Sequence, residues 1–130
     1  MADMSDYLEV KLLNLTLNGA AFTAVDDPYI SLHTADPTDA GTGTEVSGTG
    51  YARVQAEFAT ASGTSGSVVT TADTTWAAAG ASWGTVGWIG VWDASSSGNM
   101  LYHTALDADK TIDTGDVFKI TAGNLTVTLA

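Results

Sequence analysis

The sequence has 130 residues, with 15 acidic side chains against 4 basic ones, a net charge of -11 and no cysteine. That balance excludes nucleic-acid binding and docking on an anionic membrane, because both need Lys and Arg to meet phosphate. Without cysteine, disulfides and thiolate metal sites are excluded as well.

Hydrophobic residues make up 45% of the chain and charged residues only 15%, so the polar surface must come largely from Thr, Ser, Gly and Asn. Such a surface suits β-structure packed against neighbours better than a freely diffusing enzyme. The length predicts a single domain, 1–130, with room for a core. The start of the chain has no apolar core of a signal peptide, and no apolar run approaches the ~18 residues of a membrane span.

Ser5 is placed to cap a helix over about 5–17, with Asp6 and Glu9 in its first turn where the helix dipole favours acids. Leu8, Leu12 and Leu15 recur at helical spacing, and Asn18-Gly19 is a stop. Val10, Leu13 and Leu17 widen the apolar surface beyond one stripe, which suggests packing on two sides; the helix is expected either to cover one open face of the sandwich or to form part of an oligomer seam. After a connector ending at Pro28, residues 29–34 alternate as a strand with Ile30 and Leu32 on one face. Residues 35–50 form a loop rich in Asp, Thr and Gly, longer than usual and therefore expected to be functional or packed on a partner. Strands are predicted over 52–58, 68–71 and 74–77, with Trp76 as the anchor of the last pair.

The chain is centred on 83–104, which holds three of the four tryptophans. Apolar residues of both parities over 86–92 predict a strand covered on both faces. Gly87 and Gly90 leave room for bulky neighbours or mark a bulge. Residues 93–99 read as the hairpin loop and 100–104 as the returning strand. Trp88 is expected in the middle of this hairpin, so that its truncation to alanine should cost about 3–5 kcal/mol. Short strands over 110–112, 117–120 and 124–129 finish the chain. The fold class is therefore mainly β, an antiparallel β-sandwich or jelly roll with one N-terminal α-helix.

Few motifs suggest chemistry. Gly80-Ala81-Ser82-Trp83-Gly84 matches the nucleophile-elbow spacing, but a strand follows where a helix is required, so Ser82 and His103 are not expected to be catalytic. His33 and His103 would need a third ligand such as Asp36 or Asp107 to hold a metal. Asp36, Asp39 and Glu45 gather on a glycine-spaced loop and form the weak candidate for a cation site, against an Asp-rich turn capped by its own side chains. Residues 43–48 have the bare glycine spacing of a phosphate loop but lack its Lys-Ser/Thr. No catalytic, cofactor or metal site is expected. Tyr51 and Arg53 follow the long loop directly. Arg53 is expected to bind loop carbonyls or Asp36 or Asp39, or else a partner's carboxylate.

The run Leu32-His33-Thr34-Ala35-Asp36-Pro37-Thr38-Asp39, continuing through Glu45 to Gly50-Tyr51-Ala52-Arg53, resembles a family of small tailed-bacteriophage virion structural proteins. Members are variously labelled tail-fibre, minor structural or capsid-decorating components. Tyr7 to Leu13, Ser82-Trp83-Gly84-Thr85-Val86, Gly90-Val91-Trp92-Asp93-Ala94, Gly98-Asn99-Met100-Leu101-Tyr102 and Leu125 to Leu129 are similar as well. The resemblance implies no catalytic residues. It implies a virion protein assembled in the host cytoplasm, most simply a capsid decoration (cement) protein stabilising the shell by protein–protein contacts. That reading expects a homo-oligomer, a trimer, bound to the major capsid protein or another virion protein. Leu8, Leu12, Leu15, Asp36, Asp39, Tyr51 and Arg53 are its expected contacts. The alternative is a tail-associated fibre or adhesin module binding a host glycan or protein, which calls for exposed aromatics at Trp76 or Trp83.

Overall fold

The computed structural model describes residues 2–129, and its elements follow the apolar pattern of the chain. β1 (Asp3–Met4), α1 (Asp6–Leu17), β2 (Tyr29–His33) and β3 (Val54–Gln55) come first. β4 (Ser67–Val69), β5 (Thr74–Thr75), β6 (Gly84–Trp92), β7 (Met100–Ile112), β8 (Lys119–Ile120) and β9 (Thr126–Thr128) complete the order. The main sheet runs β1-β7-β6-β2-β3 and is antiparallel throughout, while β4 pairs with β9 and β5 with β8 as two ribbons. The result is mainly β, with one helix near the N-terminus and antiparallel sheets in the manner of a β-sandwich.

The main sheet has two different faces. On one, Ile30 and Leu32 of β2 stand beside Ile89 and Val91 of β6, cross-strand partners in the register Ile30↔Val91 and Leu32↔Ile89. The ribbons close this face with Trp76, Phe118, Ile120 and Leu125, and together these residues form the core. Trp76 and Phe118 meet edge to face at 5.2 Å between centroids, and Trp83 meets Tyr51 likewise at 5.5 Å. The other face carries Ser31, His33, Trp88, Trp92 and His103.

Strand alternation alone would put Val86 on the second face. Val86 faces Lys110 and Trp88 faces Ala105, so Gly87 alone stands against 106–109 of β7. This bulge slips the alternation by one step and turns Val86 into the core. The expected strands over 100–104 and 110–112 are thus one long strand interrupted by its bulge. The expected strand over 52–58 is shorter, only β3, followed by an isolated bridge from Phe58 to Thr70.

Ser5 caps α1, its hydroxyl accepting the Leu8 N–H at 3.2 Å. Leu8 is buried against the body, Leu12 is half-buried, and Leu15 is exposed, while the opposite stripe of Val10, Leu13 and Leu17 faces solvent. The helix packs on β7 of the main sheet.

Trp88 departs from expectation, since it is half-buried on the polar face, outside the core. The fully buried indole is that of Trp76, 2% exposed. Urea unfolding should therefore show a loss of about 3–5 kcal/mol for Trp76→Ala and a clearly smaller loss for Trp88→Ala.

Candidate functional site: a clasped loop on the polar face of the sheet

The loop 35–50 folds back over the polar face of the sheet, and one arginine holds it there. Arg53 lies just before β3, where its side chain crosses the indole of Trp92 at 3.8 Å from the ring centroid. Its Nε donates to Glu45 Oε1 at 2.8 Å and its Nη2 to Glu45 Oε2 at 2.8 Å, a two-pronged pair. Its Nη1 donates to the carbonyls of Ala94 at 3.2 Å and Ser97 at 2.8 Å in the β6–β7 turn. The side chain is only 7% exposed. So the guanidinium binds loop carbonyls as expected, but its carboxylate partner is Glu45 and neither Asp36 nor Asp39.

Tyr51 completes the clasp. Its hydroxyl donates to Glu45 Oε1 at 2.8 Å and accepts the Leu32 N–H at 3.0 Å. Burial raises the Tyr51 pKa, and the Glu45 charge raises it further. Burial also pushes the Glu45 carboxyl upward. The hydrogen bonds from Arg53 and Tyr51, with the Arg53 charge, outweigh it and hold Glu45 below its ordinary 4.5.

Beneath the clasp runs a buried polar chain. Trp92 Nε1 donates to Ser31 Oγ at 2.7 Å, and Ser31 Oγ lies 2.6 Å from His33 Nε2. Ser31 Oγ also lies 3.4 Å from the Gly90 carbonyl oxygen, so this one hydroxyl links the indole, the His33 ring and the backbone of β6. Burial lowers the His33 pKa from 6.5, more than the nearby Glu45 carboxylate raises it. The ring is therefore neutral near pH 7. Gly90 makes the chain possible: a Cβ there would stand 2.8 Å from both Ser31 Oγ and Trp92 Nε1.

The far side of the loop rests on His103. His103 Nε2 lies 2.8 Å from Asp39 Oδ1, and His103 Nδ1 lies 3.4 Å from Asp36 Oδ1 without a hydrogen-bond partner. A carboxylate only accepts, so the proton of that short contact sits on Nε2. Asp36 also caps its own turn, accepting the Thr38 N–H at 2.8 Å. The neck of the loop closes where Thr42 and Gly43 both donate to the Pro37 carbonyl, at 2.9 and 3.2 Å. A Cβ on Gly43 would fall 2.3 Å from Pro37 Cα, against backbone that cannot yield.

These contacts decide the sequence candidates. Asp36 and Asp39 are brought together at His103, but Glu45 is drawn away by Arg53, so the three carboxylates do not converge. Among the described residues, no group of three His, Cys, Asp or Glu is placed to hold a metal ion. Ser82 Oγ donates to the Ile112 carbonyl at 3.4 Å, and His103 is engaged by Asp39, so the two do not form a nucleophile–base pair. Ser31 beside His33 has the right atoms for such a pair, yet both are 0% exposed and closed to any substrate. Trp76 and Trp83, the aromatics that an adhesin would display, are buried. Sequence reasoning missed the roles of Trp92, Ser31 and Glu45. A buried Ser-x-His in a strand facing Trp-x-Gly across the ladder was the available signal.

The fold and the clasped loop define a small, mainly β, sandwich-like body with one helix near its N-terminus. A family model described as podophage GP4 fiber I protein gp80 matches residues 3–128, and the chain belongs to that family. No curated protein matches it.

Three measurements probe the clasp. Arg53→Ala should cost about 3 kcal/mol in chemical unfolding, because Glu45 and two carbonyls lose their partner, and Arg53→Lys should recover only part of it. Gly43→Ala should lower the melting temperature and raise hydrogen exchange across 35–45. The third is pH. Unfolded His33 takes up a proton near 6.5 whereas the folded ring resists it, so stability should fall as pH drops below 6.5. A further fall should come below 4.5 as Glu45 is protonated. His33→Gln should flatten the first limb and leave the second.

Proposed function

We propose that this chain is a non-enzymatic structural subunit on the fibre side of a phage virion, acting through protein–protein contacts. The observation that carries the reading is the match over nearly the whole chain to a family described as a fibre protein. The geometry supports it in two ways. Every candidate for chemistry is either buried or committed to an internal contact, and the longest loop is held rigid with its outer side exposed.

That loop offers Asp36, Thr38, Asp39, Thr42 and Thr44 to a neighbour while its inner side is fixed by Arg53, Glu45 and His103. A pre-ordered loop loses little conformational freedom when a partner docks, which favours assembly. The fibre reading is placed ahead of capsid decoration because the family carries the fibre description. It is placed as a structural subunit ahead of a glycan-binding tip because the aromatic rings of Trp76, Trp83 and Trp92 are buried. The partners are further copies of the chain and other virion proteins.

Gold-labelled antibody against the protein, applied to intact particles, should mark the tail fibres in electron micrographs. Label spread over the capsid would move the protein to shell decoration, and unlabelled purified particles would remove it from the virion altogether.

A further inference from the structure

We propose that Asn18 is a site of spontaneous covalent modification. Its side-chain amide is lost through attack by the backbone nitrogen of Gly19, which leaves aspartate or isoaspartate at the end of α1. This stands apart from the assembly reading above and does not depend on it. The chain has four asparagines, at 14, 18, 99 and 124, and Asn18 alone is followed by glycine. A side chain on the following residue crowds the attacking nitrogen, whereas glycine presents none and leaves the backbone free to turn.

The structure leaves both reacting groups accessible. Asn18 is the C-cap of α1, and both it and Gly19 are exposed. Among the described residues no acceptor takes the Gly19 N–H, although the amides on either side of it, Asn18 and Ala20, both donate to the Asn14 carbonyl at 3.1 Å. Gly19 has φ +65° and nothing within 4 Å of where a Cβ would stand, so no neighbour blocks its movement. In the folded cap Asn18 has ψ 6°, and its Nδ2 donates to Asn14 Oδ1 at 2.9 Å. Reaction requires ψ to swing until Asn18 Cγ meets the Gly19 nitrogen, at the expense of that hydrogen bond and the Ala20 cap. This end of the helix yields readily. Leu8, near the other end, is the buried residue of α1, while Leu13, Leu15, Leu17 and residues 18–21 are exposed. A terminal turn without buried contacts opens at almost no cost in free energy. The other asparagines are held more firmly. Asn14 lies inside α1, and Asn124 precedes the buried Leu125. Asn99 is clamped by Asp93, whose carboxylate accepts its N–H at 2.7 Å and its Nδ2 at 2.8 Å.

The chemistry needs only solvent water. The Gly19 nitrogen bonds to Asn18 Cγ and gives up its proton, the Cγ–Nδ2 bond breaks, and ammonia leaves behind a cyclic succinimide. Water then opens the ring. Breaking the Cγ–N bond gives aspartate, and breaking the bond from the main-chain carbonyl carbon to nitrogen gives isoaspartate. Either product puts a negative charge at the C-terminus of the helix, where the dipole disfavours it, and the last turn has no basic side chain to offset it. Isoaspartate also adds a methylene to the main chain and displaces Ala20 from the Asn14 carbonyl. The modification thus loosens the end of α1 and leaves the Arg53–Glu45 clasp, which shares no hydrogen bond with this turn, intact.

The test incubates the full-length protein in mildly alkaline buffer at body temperature. Isoelectric focusing should show a species one charge more acidic accumulating with time. Mass spectrometry of a digest, with fragment sequencing, should place the amide-to-acid exchange at Asn18 while Asn14, Asn99 and Asn124 stay amides. An isoaspartyl methyltransferase should label the same peptide. Asn18→Gln, an exposed and conservative change, should abolish the acidic species. An Asn18 that keeps its amide throughout, loss spread evenly over the four asparagines, or an acidic species that persists in Asn18→Gln overturns the site.

Discussion

Arg53 and Glu45 form the contact on which the arrangement of this protein depends. The chain has four basic residues, and this one is almost wholly buried, stacked on Trp92 and bonded to a carboxylate and two carbonyls. A pair of this kind adds little net stability compared with apolar residues of the same volume, but losing one partner strands the other. Its effect is therefore on which structure forms. It joins the long loop, the start of β3, the end of β6 and the β6–β7 turn at a single point.

From that point the remaining contacts follow in order. With Trp92 pinned under the guanidinium, its indole N–H is directed to Ser31, and Ser31 in turn to His33. With the loop neck held at Glu45, its outer limb reaches His103 through Asp39, and Asp39's carbonyl receives the first N–H of α1. The sheet thus separates two kinds of interior. The face toward the ribbons is apolar, lined by Ile30, Leu32, Ile89, Val91 and Trp76, and stabilised by area removed from water. The face under the loop is polar and specific, and Gly90 and Gly43 let its layers approach closely. Outside them lie the exposed rim of the clasped loop and the exposed apolar side chains of α1.

The sequence determined the classes of element and most of their places. Alternation located β2 and the paired β6 and β7, the Ser5 cap and leucine spacing located α1, and the length and composition of 35–50 marked it as an element with a task. The resemblance over 32–53 led to the right family. What only the tertiary structure decided was direction and partnership. Whether Leu8 or Leu13 faces the body depends on where β7 lies against the helix, which two opposed apolar stripes cannot reveal. The side of the sheet taken by Val86 and Trp88 depends on a bulge opposite Gly87, and a bulge shifts parity without changing composition. Arg53's choice of Glu45 over Asp36 and Asp39 depends on how the loop folds back, because three carboxylates within ten residues are chemically equivalent until distance separates them.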